Sequence, residues 1–161
     1  MVNKIQKLVL KLKESFKGKP WFGDSLIHKL NKINYQDANI VVTDSSKSIA
    51  MIIQHLINWR VFVIEKLKRN ESYAIIINSN CDWSEIKIES ELEWTKLLNK
   101  LIFTQAEIIK ILEDQMINNQ LENIVPGESY SFESLLIGII HHDIYHSGQI
   151  GLLFAQLKSN T

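Results

Sequence analysis

Three long stretches of this chain repeat apolar residues at a 3.6-residue period, and that period limits the fold more than any other feature. In residues 46–69 the stripe is Ile49, Ile52, Leu56, Trp59 and Val63. In 91–118 it is Leu92, Leu97, Leu98, Leu101, Ile108 and Leu112, and in 132–157 it begins with Leu135, Gly138 and Ile139 and resumes at Leu152 and Leu153. A shorter stretch, 2–16, places Ile5, Leu8, Leu12 and Phe16 on one side. An apolar stripe on a helix must be covered, and helices covering one another give a bundle. The reading is an all-α fold, a four-helix bundle built as a single domain from residues 1–161.

The remaining segments punctuate those helices. Gly18-Lys-Pro-Trp-Phe-Gly23 stops the first. Asp24 or Ser25 then caps a short helix through Leu26 and Leu30 to about Ile33, followed by a polar loop, 34–45. Residues 70–89 are an excursion: Tyr73–Ile77 is β-prone and Asn78-Ser-Asn-Cys-Asp82 is turn-like. A short strand pair, 75–77 with 86–88, is expected there, within a crossover connection. Ser90 followed by Glu93 predicts a capping box. Val125-Pro-Gly127 separates the last two long helices.

Charge and cysteine content narrow the function classes. The chain carries 18 basic and 18 acidic residues, so no basic excess exists to neutralise a nucleic-acid backbone. Only Arg60 and Arg69 offer the guanidinium fork that phosphate and base recognition favours. Cys81 is the single cysteine, which excludes an internal disulfide and fits a reduced, cytoplasmic setting. A nucleophilic Cys81 is the weaker candidate for chemistry. The lysine-interrupted N-terminus lacks a signal-peptide core, and the apolar run 135–140 is about a third of what a bilayer requires. No membrane association is expected.

The chemistry lies where the last apolar stripe breaks. Between its two halves the same side of the helix carries His142, His146 and Gln149. The i, i+4 spacing sets the two imidazoles one turn apart on one face, within reach of a common ion about 2.0–2.1 Å from each nitrogen. His55, bordering the stripe of the second long helix, supplies a third nitrogen. Buried polar groups without partners cost about 1–3 kcal/mol each, so these residues either bind a metal or hydrogen-bond to backbone or to one another. Three histidines from two helices would leave coordination positions open, the pattern of a catalytic metal. His141 is rotated about 100° away and is expected to face solvent or a neighbouring element; the orientation of His28 is left open.

Three motifs resemble the DinB/YfiT-like metalloenzymes. His142-x-x-Tyr145-His146-x-Gly148-Gln149-Ile150 is similar to the family's histidine signature. Trp21-Phe-Gly-Asp-Ser-Leu26 resembles its N-terminal W-x-G-x-S-L element, and Ser48–Trp59 resembles the helix bearing its first metal histidine. The matches are in order and span roughly 20–157, with 70–128 unmatched. The resemblance implies an up-down-down-up bundle, a divalent ion (zinc or nickel first) on His55, His142 and His146, a homodimer, and in some relatives a low-molecular-weight thiol as co-substrate.

Within that frame Gln149 is a candidate for orienting a ligand, or else bonds across the bundle. Tyr145 is a candidate donor to substrate, or else a packing residue. Asp143 is expected to point away from the ion, and Gly148 to allow close helix approach. Arg60, about 140° round from His55, is expected to face away too, which leaves a sugar- or carboxylate-bearing thiol without an evident cationic partner. The leading function is a metal-dependent transferase or hydrolase. A metal-containing or stress-related bundle that acts through a partner, and a plain bundle with packing histidines, are the alternatives.

Overall fold

The structure, a computed structural model, describes residues 3–43 and 46–159. Its described elements are helical: α1 (Lys4–Lys17), α2 (Leu26–Leu30), α3 (Tyr35–Ala38), α4 (Ile49–Leu67), α5 (Glu91–Asp114), a 3₁₀ turn (Asn118–Glu122) and α6 (Phe132–Ser159). Residue 2 of the expected first helix, and residues 44 and 45 of the expected 34–45 loop, lie outside the described residues. That loop contains α3, whose start is capped by the Asn34 side chain accepting from Asp37 N–H.

Caps set the helix starts. Asn3 caps α1, Ser48 caps α4 through Met51 N–H, and Ser90 caps α5 through Glu93 N–H at 3.3 Å. The reciprocal half of the box at α5 is displaced by one residue: the Glu93 carboxylate accepts from Glu89 N–H at 2.7 Å. Ser25 precedes α2, but its hydroxyl makes no cap bond. α5 stops at Asp114, four residues before the expected end, because the chain tightens into the 3₁₀ turn.

No strand pair forms between 75–77 and 86–88; the sole bridge among the described residues joins Ile124 and Ser131. The segment 70–89 is instead held as a loop by side-chain bonds. Asp82 accepts from Asn78 N–H at 2.8 Å, and Asn39 bonds both backbone groups of Ile88. These bonds satisfy the backbone groups that a strand ladder would otherwise need.

α4 packs on both α5 and α6, and α1 packs on the same two helices from the other side. Two apolar clusters result. One gathers Leu8, Leu12, Val63, Ile108, Leu112, Leu136 and Ile139; the other gathers Leu26, Leu30, Ile53, Leu56, Trp94, Leu101 and Ile150. Fully burying such a side chain is worth about 1.5–3 kcal/mol. Along α4, α5 and α6 the two clusters meet at a belt of buried polar residues, which includes His55, Arg60, Gln105, Asp143 and His146. Leu152, expected in the core stripe of α6, is 62% exposed, whereas its neighbours Leu153, Phe154 and Leu157 pack against the second cluster: the buried side of α6 here is the one that carries them. Among the described residues, no helix is long and apolar enough to cross a membrane.

Candidate metal centre

Thirteen of the nineteen residues of α4 are buried, because α5 and α6 cover it from two directions. This is why both His55 and Arg60 point inward despite lying about 140° apart on the helix. Arg60 is fully buried; one Nη donates to Gln105 Oε1 at 2.6 Å, the other to Asp143 Oδ2. Neither residue lines the cavity beside the histidines, so both face away from it as expected, but they do so into the core, and Asp143 is not solvated. Each charge tolerates burial because the other neutralises it, and Phe16 lies 4.7 Å from the guanidinium carbon. Burial pushes the Asp143 carboxyl up, to about 6, against the opposing pull of Arg60.

His55, His142 and His146 converge as the spacing suggested. One nitrogen from each lies within 4.8 Å of the others. Ring centroids are 4.9 Å apart for His55 and His142, 4.7 Å for His55 and His146, and 4.5 Å for His142 and His146.

The hydrogen bonds assign the ring protons. His55 Nδ1 lies 2.9 Å from the backbone carbonyl of Asp82 and 3.0 Å from its carboxylate. Both partners only accept, so Nδ1 bears the hydrogen and Nε2 is a lone pair. His146 Nδ1 donates to Gln149 Oε1 at 2.6 Å, while the Gln149 amide donates to the Tyr145 hydroxyl at 3.1 Å. His146 Nε2 is therefore also a lone pair. His142 Nε2 stands 3.0 Å from His55 Nε2, and its buried Nδ1 has no hydrogen-bond partner among the described residues.

The charge state agrees. Burial holds all three imidazoles below the usual histidine range: His55 is lowered against the pull of Asp82, His146 falls to about 4 and His142 to about 3. At neutral pH the site presents unprotonated nitrogens, the form that ligates metals. A buried cluster of imidazole lone pairs aimed at a common point fits a divalent cation of borderline softness.

Other expectations are resolved by position. Gln149 bonds within its own helix to His146 and Tyr145, not across the bundle. Tyr145 is 63% exposed and lines the cavity, with its ring set edge-on to His146 at 4.9 Å between centroids. His141 is exposed. His28 is exposed as well, 3.7 Å from Asp24. Cys81 is exposed and lies outside the cavity lining.

Sequence reasoning missed Asp82, whose carboxylate holds His55 and accepts from the Trp59 indole at 2.8 Å. It also missed Trp83, stacked on His55 with centroids 3.8 Å apart and planes 6° from parallel. An acidic residue followed by a tryptophan in an otherwise polar loop was the available signal. The site opens into a cavity of about 740 Å³ between α4, α6 and the 70–89 loop. No protein-family model matches the chain, and no curated protein or solved structure matches it.

Proposed function

We propose that this chain is a divalent-metal-binding protein of the DinB/YfiT-like kind, and that it acts as a metal-dependent transferase or hydrolase on a small molecule. His55, His142 and His146 are the ligands in this reading, with zinc or nickel the first candidates. The observation that carries it is the convergence of three imidazoles, with the protons of His55 and His146 directed away from the common point by Asp82 and Gln149. Carboxylate or amide partners behind metal histidines are a common device for fixing the ligating tautomer.

An up-down-down-up course is part of the proposal, and the side-chain pairings support it. His55 meets His146 while Trp59 meets His142, an antiparallel order for α4 and α6. Arg60 meets Gln105 while Lys68 meets Glu107, a parallel order for α4 and α5.

When bound, a divalent ion supplies Lewis acidity and acidifies a water or thiol presented to it. The protein's own residues do the rest. Asp82 orients His55, Gln149 orients His146, and Trp83 covers one face of His55 against solvent. The Tyr145 hydroxyl stands at the cavity wall, where it can donate to a bound molecule.

Elemental analysis of the purified protein with His55→Ala and His146→Ala variants tests the reading. About one ion per chain, lost in both variants, is the expected result. No retained metal after incubation of the wild type with zinc or nickel would refute it.

A further inference from the structure

The cavity in front of the histidines has mainly apolar walls. Its sides are formed by Trp59, Phe62, Val63, Leu135 and Ile139, and among the described residues no lysine or arginine lines it. The one carboxylate lining it among the described residues, Asp82, is already engaged by His55, Trp59 and Asn78. Ile77 at the rim is 70% exposed and the adjacent Ile76 is 71% exposed, so apolar surface continues out of the mouth. A ligand carrying charges on its body, away from the histidines, would lose their hydration against these apolar walls without gaining a counter-charge there.

Gly138 gives an independent indication. It lies within α6 on the cavity wall, where glycine is a poor helix former. A Cβ placed on it would meet nothing within 4 Å, so no packing contact demands a glycine. Its missing side chain leaves open space in front of the site. The volume, about 740 Å³, is in the range of small-molecule sites.

We propose that this cavity binds an uncharged, mainly apolar small molecule whose single polar head lies against His55, His142 and His146. The head-group contact rests on the metal-centre reading; the preference for an apolar body does not.

Isothermal titration calorimetry with benzyl mercaptan and mercaptosuccinate separates the two parts, since the probes share a thiol and differ in body. On the zinc-loaded protein, benzyl mercaptan should bind at least tenfold tighter. Gly138→Phe should weaken it at least tenfold while zinc content and circular dichroism stay unchanged. Mercaptosuccinate binding as tightly, or an affinity for benzyl mercaptan indifferent to Gly138→Phe, would overturn the proposal. Should the protein retain no zinc, the metal reading fails, and benzyl alcohol against succinate on the metal-free protein decides the rest. A preference for benzyl alcohol that Gly138→Phe removes sustains the apolar site, and no preference overturns it.

Discussion

His55 Nε2 faces His142 Nε2 at 3.0 Å across the α4–α6 contact, and Asp82 already occupies the proton-bearing side of His55. Two imidazoles meeting by their ε nitrogens at that separation share one proton or one cation. With His146 presenting a third nitrogen within 4.8 Å, the cation is the better match to three acceptors.

Removing any of the three histidines should therefore lower metal affinity sharply with little change in helix content. The loss should exceed the roughly 10–100-fold expected when only an outer partner is removed. His141→Ala should retain the ion, because His141 is exposed. Elemental analysis beside far-ultraviolet circular dichroism checks both, and loss of metal from His141→Ala would mean the ligand set is wrong.

Asp82→Asn tests the partner behind His55. An amide can still accept from Nδ1, but it lacks the carboxylate's charge and can rotate to present N–H instead. Zinc affinity should fall about 10–100-fold with the fold intact. Competition titration with a chromophoric chelator would read this, and an unchanged affinity would remove Asp82 from the site.

The Arg60–Asp143 pair should be costly to break and cheap to replace. Asp143→Ala leaves a buried guanidinium uncompensated and should destabilise by about 3–5 kcal/mol. The double variant Arg60→Met with Asp143→Leu should recover most of that loss. Urea denaturation gives both values, and a double variant no more stable than Asp143→Ala would contradict the argument.

Acid should weaken the metal-free protein below pH 6.5. His142 and His146 titrate near 3 and 4 when folded, and His55 is lowered as well. The unfolded chain, with histidines near 6.5, therefore binds more protons in this window, and stability falls as pH falls, by up to about 1.4 kcal/mol per pH unit for each group. Asp143, raised to about 6, works in the opposite sense: its native form holds a proton that the unfolded form releases, so it favours folding at lower pH. Three histidines outweigh one carboxyl, and the net slope is toward acid instability. Urea midpoints at several pH values should show it, with a shallower slope in His142→Ala.

Gly138→Ala should raise stability by about 0.5–1 kcal/mol, since the position is helical and its Cβ would meet nothing within 4 Å. Thermal unfolding would show the gain, and a loss would mean that the glycine serves packing.

Periodicity and capping chemistry are local: the 3.6-residue stripes made the long helices legible, and Ser90 marked the start of α5, whereas the caps Asn3 and Ser48 of α1 and α4 were not singled out. The i, i+4 pair of His142 and His146 is a property of one helix, and it too could be read directly. The expected strand pair failed because 70–89 satisfies its backbone through Asp82 and Asn39, contacts that no local pattern reveals. That Arg60 and Asp143 meet as a buried pair was hidden for a related reason. The angle between two residues on one helix says which way each points, but only the neighbouring helices determine whether that direction is solvent or core. Residue order alone specified the long helices and the three histidines that could meet. The packing of α4 against both α5 and α6 decided that they do meet, and that Asp82, Trp83 and an apolar cavity surround them, because those contacts join residues far apart in the chain.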